Sequence, residues 1–382
     1  MNPVAVAHDF LTQRGGAERV ALSMAQAFTG APLYTTLYEP EGTFTEFAEI
    51  DVRTSWLQRL RPLRHNFRVG LPLYPSAVRS LGPVPARAVV SSSTSFMHGL
   101  ATRGCHLAYL HSPPHWLWET SRYAGTRGPT ARAAHALLAP FRRVDVTAAK
   151  RPHLLLTNSF HSQEKISQVY GRWAEVLPPP VRMRPPAASV GDFFLVVSRL
   201  LPYKRVDLAV RAATHLDVRL VVVGTGPERE RLQALAGPTV EFRGGVTDVE
   251  LDHLYATCLA VIVAGVEDLG LVPIEANSAG RPAIGFARGG ALETIRHGCS
   301  GVLFDEPTVD AVEEAMVRAT QQTWDREEIR AHAQRWSEPE FQRRLRALVE
   351  GFPRYCRRCG GQGLGPGPLA GLLGGADPYP MR

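Results

Sequence analysis

EDLGLVPIEANSAGRPAIG, residues 267–285, packs two carboxylates, a glycine bend and a helix start into one short span. Asp268, Leu269 and Gly270 make the bend, and Pro273 stands where a first helical residue belongs, because the N–H it lacks is unpaired there anyway. On that spacing Glu267 closes a loop and Glu275 falls in the first turn of the following helix. Such a loop exposes backbone N–H groups, and with the positive end of the helix dipole these suit a phosphate or a sugar hydroxyl. Glu275 is placed to accept from two vicinal hydroxyls, so the span fits a nucleotide sugar. It also fits ordinary turn and helix-dipole chemistry, and the rest of the chain has to separate the two.

Working outward, LAVIVAGV (259–266) reads as the strand that feeds this loop. Upstream, FFLVVSRLLPYKRVDLAVRAA (193–213) repeats strand, basic loop and helix. Arg199 and Lys204 share that loop and can converge on one diphosphate, arginine as a planar fork and lysine as a point charge, or remain solvated surface cations. VRLVVVGTGPERERL (218–232) sets Gly224 and Gly226 between a strand and a helix, the context a glycine loop near phosphate requires. VEFRGGVTDVELDHLY (240–255) and RPAIGFARGGALETI (281–295) continue the alternation, with Val246 and the Gly289–Gly290 pair in their turns.

The N-terminal half alternates in the same way. VAVAHDF is a strand, Gly15 and Gly16 follow in TQRGGAERV, and a helical pattern runs through Ala21, Met24, Ala25 and Phe28. Further strands are expected at 31–38, near 48–53, and at 86–93, 106–111 and 153–159, with helices over 130–150 and in SQEKISQVYG capped by Ser162. Repeated alternation without an all-strand block predicts α/β domains with doubly wound parallel sheets, whose ligands lie at the carboxyl edges. Two motifs end strands there: SSSTSFMHG (91–99), and YLHSPPHWLWE (109–119), which sets His111 before a rigid Pro-Pro. His115, Trp116 and Trp118 follow as weaker candidates for stacking on a sugar or for core packing.

At 382 residues and 45% hydrophobic composition the chain is long enough for two domains. Prolines 178, 179, 180, 185 and 186 mark a linker, giving domains at 1–178 and 191–336, a linker at 179–190, a C-terminal helix at 337–355 and a Gly/Pro-rich, disordered tail at 356–382. No apolar run reaches the roughly 18 residues of a membrane helix, and Met1 runs into a strand without a secretory leader. Five unevenly spaced cysteines offer no disulfide framework, and Cys356 and Cys359 lack two further zinc ligands, so a cytoplasmic location is expected.

The net charge of +7 is lopsided: residues 1–185 hold 21 Lys and Arg against 11 Asp and Glu, and residues 52–118 hold eight Arg and no acid. Arg53, Arg59, Arg61, Arg64 and Arg68 alternate with Trp56, Leu57, Leu60, Leu63 and Phe67, a pattern that suits an anionic membrane surface or, equally, a solvated basic face over a local core. No nucleic-acid motif accompanies the charge.

The span 267–285 resembles the E-x7-E signature of retaining GT-B glycosyltransferases of family GT4, and the likeness extends over most of the chain. That resemblance implies two Rossmann-like domains facing a cleft, with the C-terminal helix packing back toward the N-terminal domain. It implies that Glu267 contacts the donor sugar and Glu275 the ribose, that Asp268, Leu269, Gly270 and Leu271 belong to the donor loop, and that Arg199 and Lys204 bind the diphosphate. Gly15 and Gly16 would face the donor phosphates, Gly224 the nucleotide, Val246 the base, and His111 the donor sugar. With no D-x-D motif, neither metal nor cofactor is expected; a nucleotide sugar is the donor substrate. The N-terminal half most resembles bacterial cell-envelope mannosyltransferases, which implies GDP-mannose and a lipid-linked or envelope saccharide acceptor. A nucleotide-sugar epimerase of the same architecture, a soluble natural-product acceptor and a non-catalytic sugar-nucleotide binder are the alternatives.

Overall fold

The computed structural model describes residues 2–119, 136–187 and 189–358. The expected tail therefore lies, from residue 359 on, outside the described residues, as does the start of the Ala/Arg-rich helix over 130–150. The chain folds as two units, one of residues 1–180 with the C-terminal helix Glu338–Arg358, the other of residues 181–337.

The first unit carries seven parallel strands: β1 (Asn2–His8), β2 (Leu33–Thr35), β3 (Val52–Thr54), β4 (Ala86–Ser93), β5 (Cys105–Leu110), β6 (Leu154–Thr157) and β7 (Glu175–Val176). Their order is β3-β2-β1-β4-β5-β6-β7. Alternation along each strand loads both faces: Val6, Val90 and Leu107 enter one core, Ala5, Ala7 and Val89 another, as a sheet covered on both sides demands. Phe341, Leu345, Leu348, Val349 and Phe352, one stripe of the C-terminal helix, join the first of these cores.

The second unit has β8 (Phe193–Val197), β9 (Arg219–Val223), β10 (Val240–Gly244), β11 (Val261–Val263), β12 (Ala283–Phe286) and β13 (Gly301–Phe304), in the order β10-β9-β8-β11-β12-β13. Both sheets reverse direction beside their first strand, between β1 and β4 and between β8 and β11. Such a switch point opens a crevice beyond the strand ends, because neighbouring connections leave toward opposite faces.

Two local expectations are corrected. The helix after β11 spans Leu271–Ser278, so Pro273 is its third residue and Glu275 lies beyond its first turn. The helix after β6 spans Phe160–Tyr170 and is capped by Ser159, whose hydroxyl accepts from the Ser162 N–H; Ser162 is inside it. The arginine-rich stretch forms a series of short helical turns: Leu57 is buried and Leu63 and Phe67 pack on the core, while Trp56 and Leu60 stay exposed. Among the described residues no helix is long and apolar enough to cross a membrane.

Candidate functional site

Beyond β8 and β11, at the switch point of the second sheet, two loops are pressed together. A side chain at Gly265 would meet the Tyr203 carbonyl oxygen at 2.6 Å, so glycine lets the loop after β8 lie directly on the loop after β11. That contact brings Lys204 onto Glu267 in a mostly shielded ion pair, Nζ donating to Oε1. The Glu267 carbonyl accepts from the Gly290 N–H at 2.8 Å, which fixes the far side of the same loop. Gly270, at φ +82°, turns the chain into the helix Leu271–Ser278; Leu269 is buried, and Asp268 and Leu271 are half-buried on either side of the turn. Gly224, at φ +131°, donates its N–H to the Gly244 carbonyl at 2.7 Å and passes so close to Ser198 that any side chain would collide with the Ser198 carbonyl.

Glu275 is held through both carboxylate oxygens. Arg184 Nη2 donates to its Oε1 at 2.9 Å and the Tyr255 hydroxyl to its Oε2 at 2.7 Å. Arg184 is only 6% exposed; it also pairs with Asp252, and its guanidinium stacks over the Tyr255 ring at 4.5 Å. Burying the phenol beside this carboxylate pushes the Tyr255 pKa well above its ordinary value, so the hydroxyl remains a donor. Val246 packs against the core that contains Tyr255. Arg199 is exposed, with its side chain outside these contacts.

The switch point of the first sheet is organised around buried polar groups. The Asp9 carboxylate, just past β1, accepts the N–H groups of Thr94, Ser95, Phe96 and Met97 at 2.6–3.0 Å and so ties down the loop after β4. His8 Nδ1 lies 3.2 Å from the Ser92 carbonyl and 3.1 Å from its hydroxyl. A carbonyl can only accept, which puts the His8 proton on Nδ1 and frees the Ser92 hydroxyl to donate to His111 Nε2 at 2.9 Å. A neutral His111 then carries its proton on Nδ1. Behind His8 stands Glu18, buried, with Oε1 at 3.9 Å from His8 Nε2 and hydrogen-bonded by Gln13. Gly15 leaves the room this carboxylate occupies, since a side chain there would press on Glu18 Oε2 at 2.5 Å. Gly16 opens the helix Gly16–Ala27.

Lys204, Glu267, Leu269 and Gly270 are thus assembled at one switch point with Glu275 on the helix that follows, while Gly15, Gly16 and His111 belong to the first unit. His115 pairs with Glu119 at 3.5 Å, and the Trp118 indole N–H donates to the buried Asp145, so both are engaged in structural contacts. Asp9, His8, Glu18, Arg184 and Tyr255 escaped sequence reasoning. Only Asp9, a carboxylate at a strand end ahead of a glycine loop, carried a signal that could have found it; Arg184 was hidden in a stretch taken as linker.

Residues 184–336 match the family model described as glycosyl transferases group 1. A GDP-mannose-dependent alpha-(1-6)-phosphatidylinositol monomannoside mannosyltransferase of Mycobacterium tuberculosis is 34% identical over 192 residues, 41% of this chain and 50% of that protein. A D-inositol 3-phosphate glycosyltransferase of Acidothermus cellulolyticus is 32% identical over 211 residues, 44% of this chain and 46% of that one. The chain therefore spans about half the length of the curated relatives it matches. The crystal structure of Anabaena Alr3699/HepE in complex with UDP and glucose superposes with a TM-score of 0.65 at 18% identity, over 92% of this chain and 100% of that one. Residues 184–336 are thus similar to the glycosyl transferases group 1 family, and the two α/β units have the GT-B fold of solved glycosyltransferases.

Proposed function

We propose that the protein is a retaining hexosyltransferase that moves mannose from GDP-mannose to a hydroxyl of a lipid-linked or cell-envelope saccharide, working at the cytoplasmic face of the membrane without a metal or other cofactor. The observation that carries this reading is the doubly anchored Glu275: it stands on the helix Leu271–Ser278, and one charged and one hydroxyl donor fix its two oxygens, leaving their remaining lone pairs to accept from a ribose diol. The mannosyltransferase relative supports the choice of donor, and the basic, partly apolar surface around Trp56 and Leu60 supports a membrane-associated acceptor.

In this reading the bond between the anomeric carbon and the β-phosphate oxygen breaks while negative charge grows on the diphosphate. Arg199, Lys204 and the backbone N–H groups of the loops at Gly224 and Gly270 stabilise that charge. Glu267 both orients Lys204 and reaches the donor sugar, and Val246 flanks the base. The acceptor hydroxyl attacks the face that the diphosphate leaves and passes its proton to the departing phosphate oxygen, so the configuration is retained. His111, its Nε2 engaged by Ser92, faces the donor sugar, and Gly15 and Gly16 face the donor phosphates.

Incubation with GDP-mannose, UDP-glucose or UDP-N-acetylglucosamine and a bacterial lipid extract, read by mass spectrometry, tests this. A product one hexose heavier, formed from GDP-mannose alone and lost in Glu267→Ala, is expected. An epimerised sugar nucleotide in the absence of acceptor would make the protein an epimerase, and failure to bind either nucleotide class would remove the reading altogether.

A further inference from the structure

The first unit contains a cavity of about 230 Å³ that the proposed transfer does not use. It lies between the helix Tyr74–Ser80, the turn Met97–Gly99 and the helix Ala139–Ala148. Its floor is apolar: Val78 and Phe96 belong to one core of the unit and Val144 packs against them. Its rim is cationic, formed by Arg79, Arg143 and Arg151, all exposed. Among the described residues none of the three has a carboxylate partner, and no acid lines the cavity. Asp145, on the same helix as Arg143, is buried and engaged by Trp118, Tyr170 and His98.

Three guanidinium groups around one opening repel each other unless an anion joins them, and guanidinium forks suit phosphate oxygens. The apolar floor asks for more than a bare anion, because burying hydrocarbon is what an apolar floor contributes. The volume falls below the roughly 300 Å³ at which drug-sized sites begin, so the cavity admits one end of a molecule. Leu73, two residues before the lining Pro75, is 40% exposed and offers apolar surface to the remainder of an amphiphile.

We propose that this cavity binds the phosphate headgroup of an anionic phospholipid, with Arg79, Arg143 and Arg151 on the phosphate and the glycerol end over Val78, Phe96 and Val144. The site is read by lipid binding alone, without donor or turnover, so its failure and that of the transferase reading are separable. Titration calorimetry with monomeric dihexanoyl phosphatidic acid, dihexanoyl phosphatidylcholine and inorganic phosphate tests it on the full chain.

Phosphatidic acid is expected to bind at least about 10-fold more tightly than either of the others, since the choline cation of phosphatidylcholine offsets the phosphate charge and faces the three arginines, and inorganic phosphate lacks the hydrocarbon. The double variant Arg143→Ser with Arg151→Ser should weaken it at least about 10-fold. Thr147→Trp, on the exposed lining, keeps all three arginines while filling the cavity and should weaken it as much. Thermal melts matching the wild type exclude unfolding as the cause. Unchanged affinity in Thr147→Trp, equal binding of phosphatidylcholine, or inorganic phosphate binding as tightly as phosphatidic acid would overturn the proposal.

Discussion

Removing Arg184 should do more damage than removing any other single residue around Glu275. Its guanidinium, 6% exposed, bridges Glu275 at 2.9 Å and Asp252, and both carboxylates are largely shielded from water, at 19% and 14% side-chain exposure. Arg184→Ala leaves Glu275 shielded without its cation and Asp252 with Arg182 alone, a loss of about 3–5 kcal/mol when one partner of a buried pair is deleted. For a unit of this size that corresponds to a fall in Tm of roughly 10 °C. Tyr255→Phe keeps the ring beneath Arg184 but deletes the donor at 2.7 Å from Glu275 Oε2; it should cost about 1.5–3 kcal/mol, as a hydrogen bond to a charged group does. Differential scanning calorimetry measures both, and titration with GDP reports the second consequence: a Glu275 no longer held in place should bind nucleotide at least about 10-fold more weakly. If Arg184→Ala melts within 2 °C of the wild type (roughly the shift expected from 1 kcal/mol or less), or if Tyr255→Phe proves the more damaging change, the network is not what positions Glu275.

Three further outcomes follow from the same geometry. Asp9→Asn turns an N–H donor toward at least one pair of the four backbone N–H groups its carboxylate accepts; a loss of about 3–5 kcal/mol in urea unfolding is expected, and a loss below about 1 kcal/mol would show that the loop after β4 is held by something else. Gly265→Ala puts a methyl group 2.6 Å from the Tyr203 carbonyl oxygen and should lower stability by about 1–3 kcal/mol while weakening GDP binding through displacement of Lys204; wild-type affinity would show that the two loops do not depend on this contact. Burial, reinforced by the positive fields of His98, His153, Arg151 and Arg172, pushes the His106 pKa down to about 3, so the unfolded chain takes up a proton there before the folded one does. Stability present above pH 6.5 is therefore lost as pH falls toward 3, at no more than about 1.4 kcal/mol per pH unit from this group, and His106→Gln should flatten that part of the pH–stability curve.

The strand pattern was legible because a covered parallel strand must be apolar on both faces: the segment 86–93 reads as a strand in the sequence and is β4. Element ends were less so. Pro273 is compatible with several early helical positions, and the start at Leu271 is chosen by Gly270, whose positive φ ends the loop there. Ser159 and Ser162 are both good caps by type, and only the position of the β6 exit decides between them. Polar partnerships were the least legible. Arg184 meets Glu275 across 91 residues, and His8 meets Ser92 across 84.

Composition, periodicity and the spacing of carboxylates, glycines and cations follow rules that act over a few residues, and from these the chain by itself determined an α/β architecture and the loop in which Glu267 and Glu275 lie. Folding decided what those groups face. Strand order places β8 beside β11 and so sets Lys204 on Glu267; it places β1 beside β4 and so ties Asp9 to the loop after Ser93 and sets Ser92 between His8 and His111. The reason is that hydrogen bonds and ion pairs act only at contact distance, while the segments that make contact are chosen by sheet topology, a property of the whole domain rather than of any stretch within it.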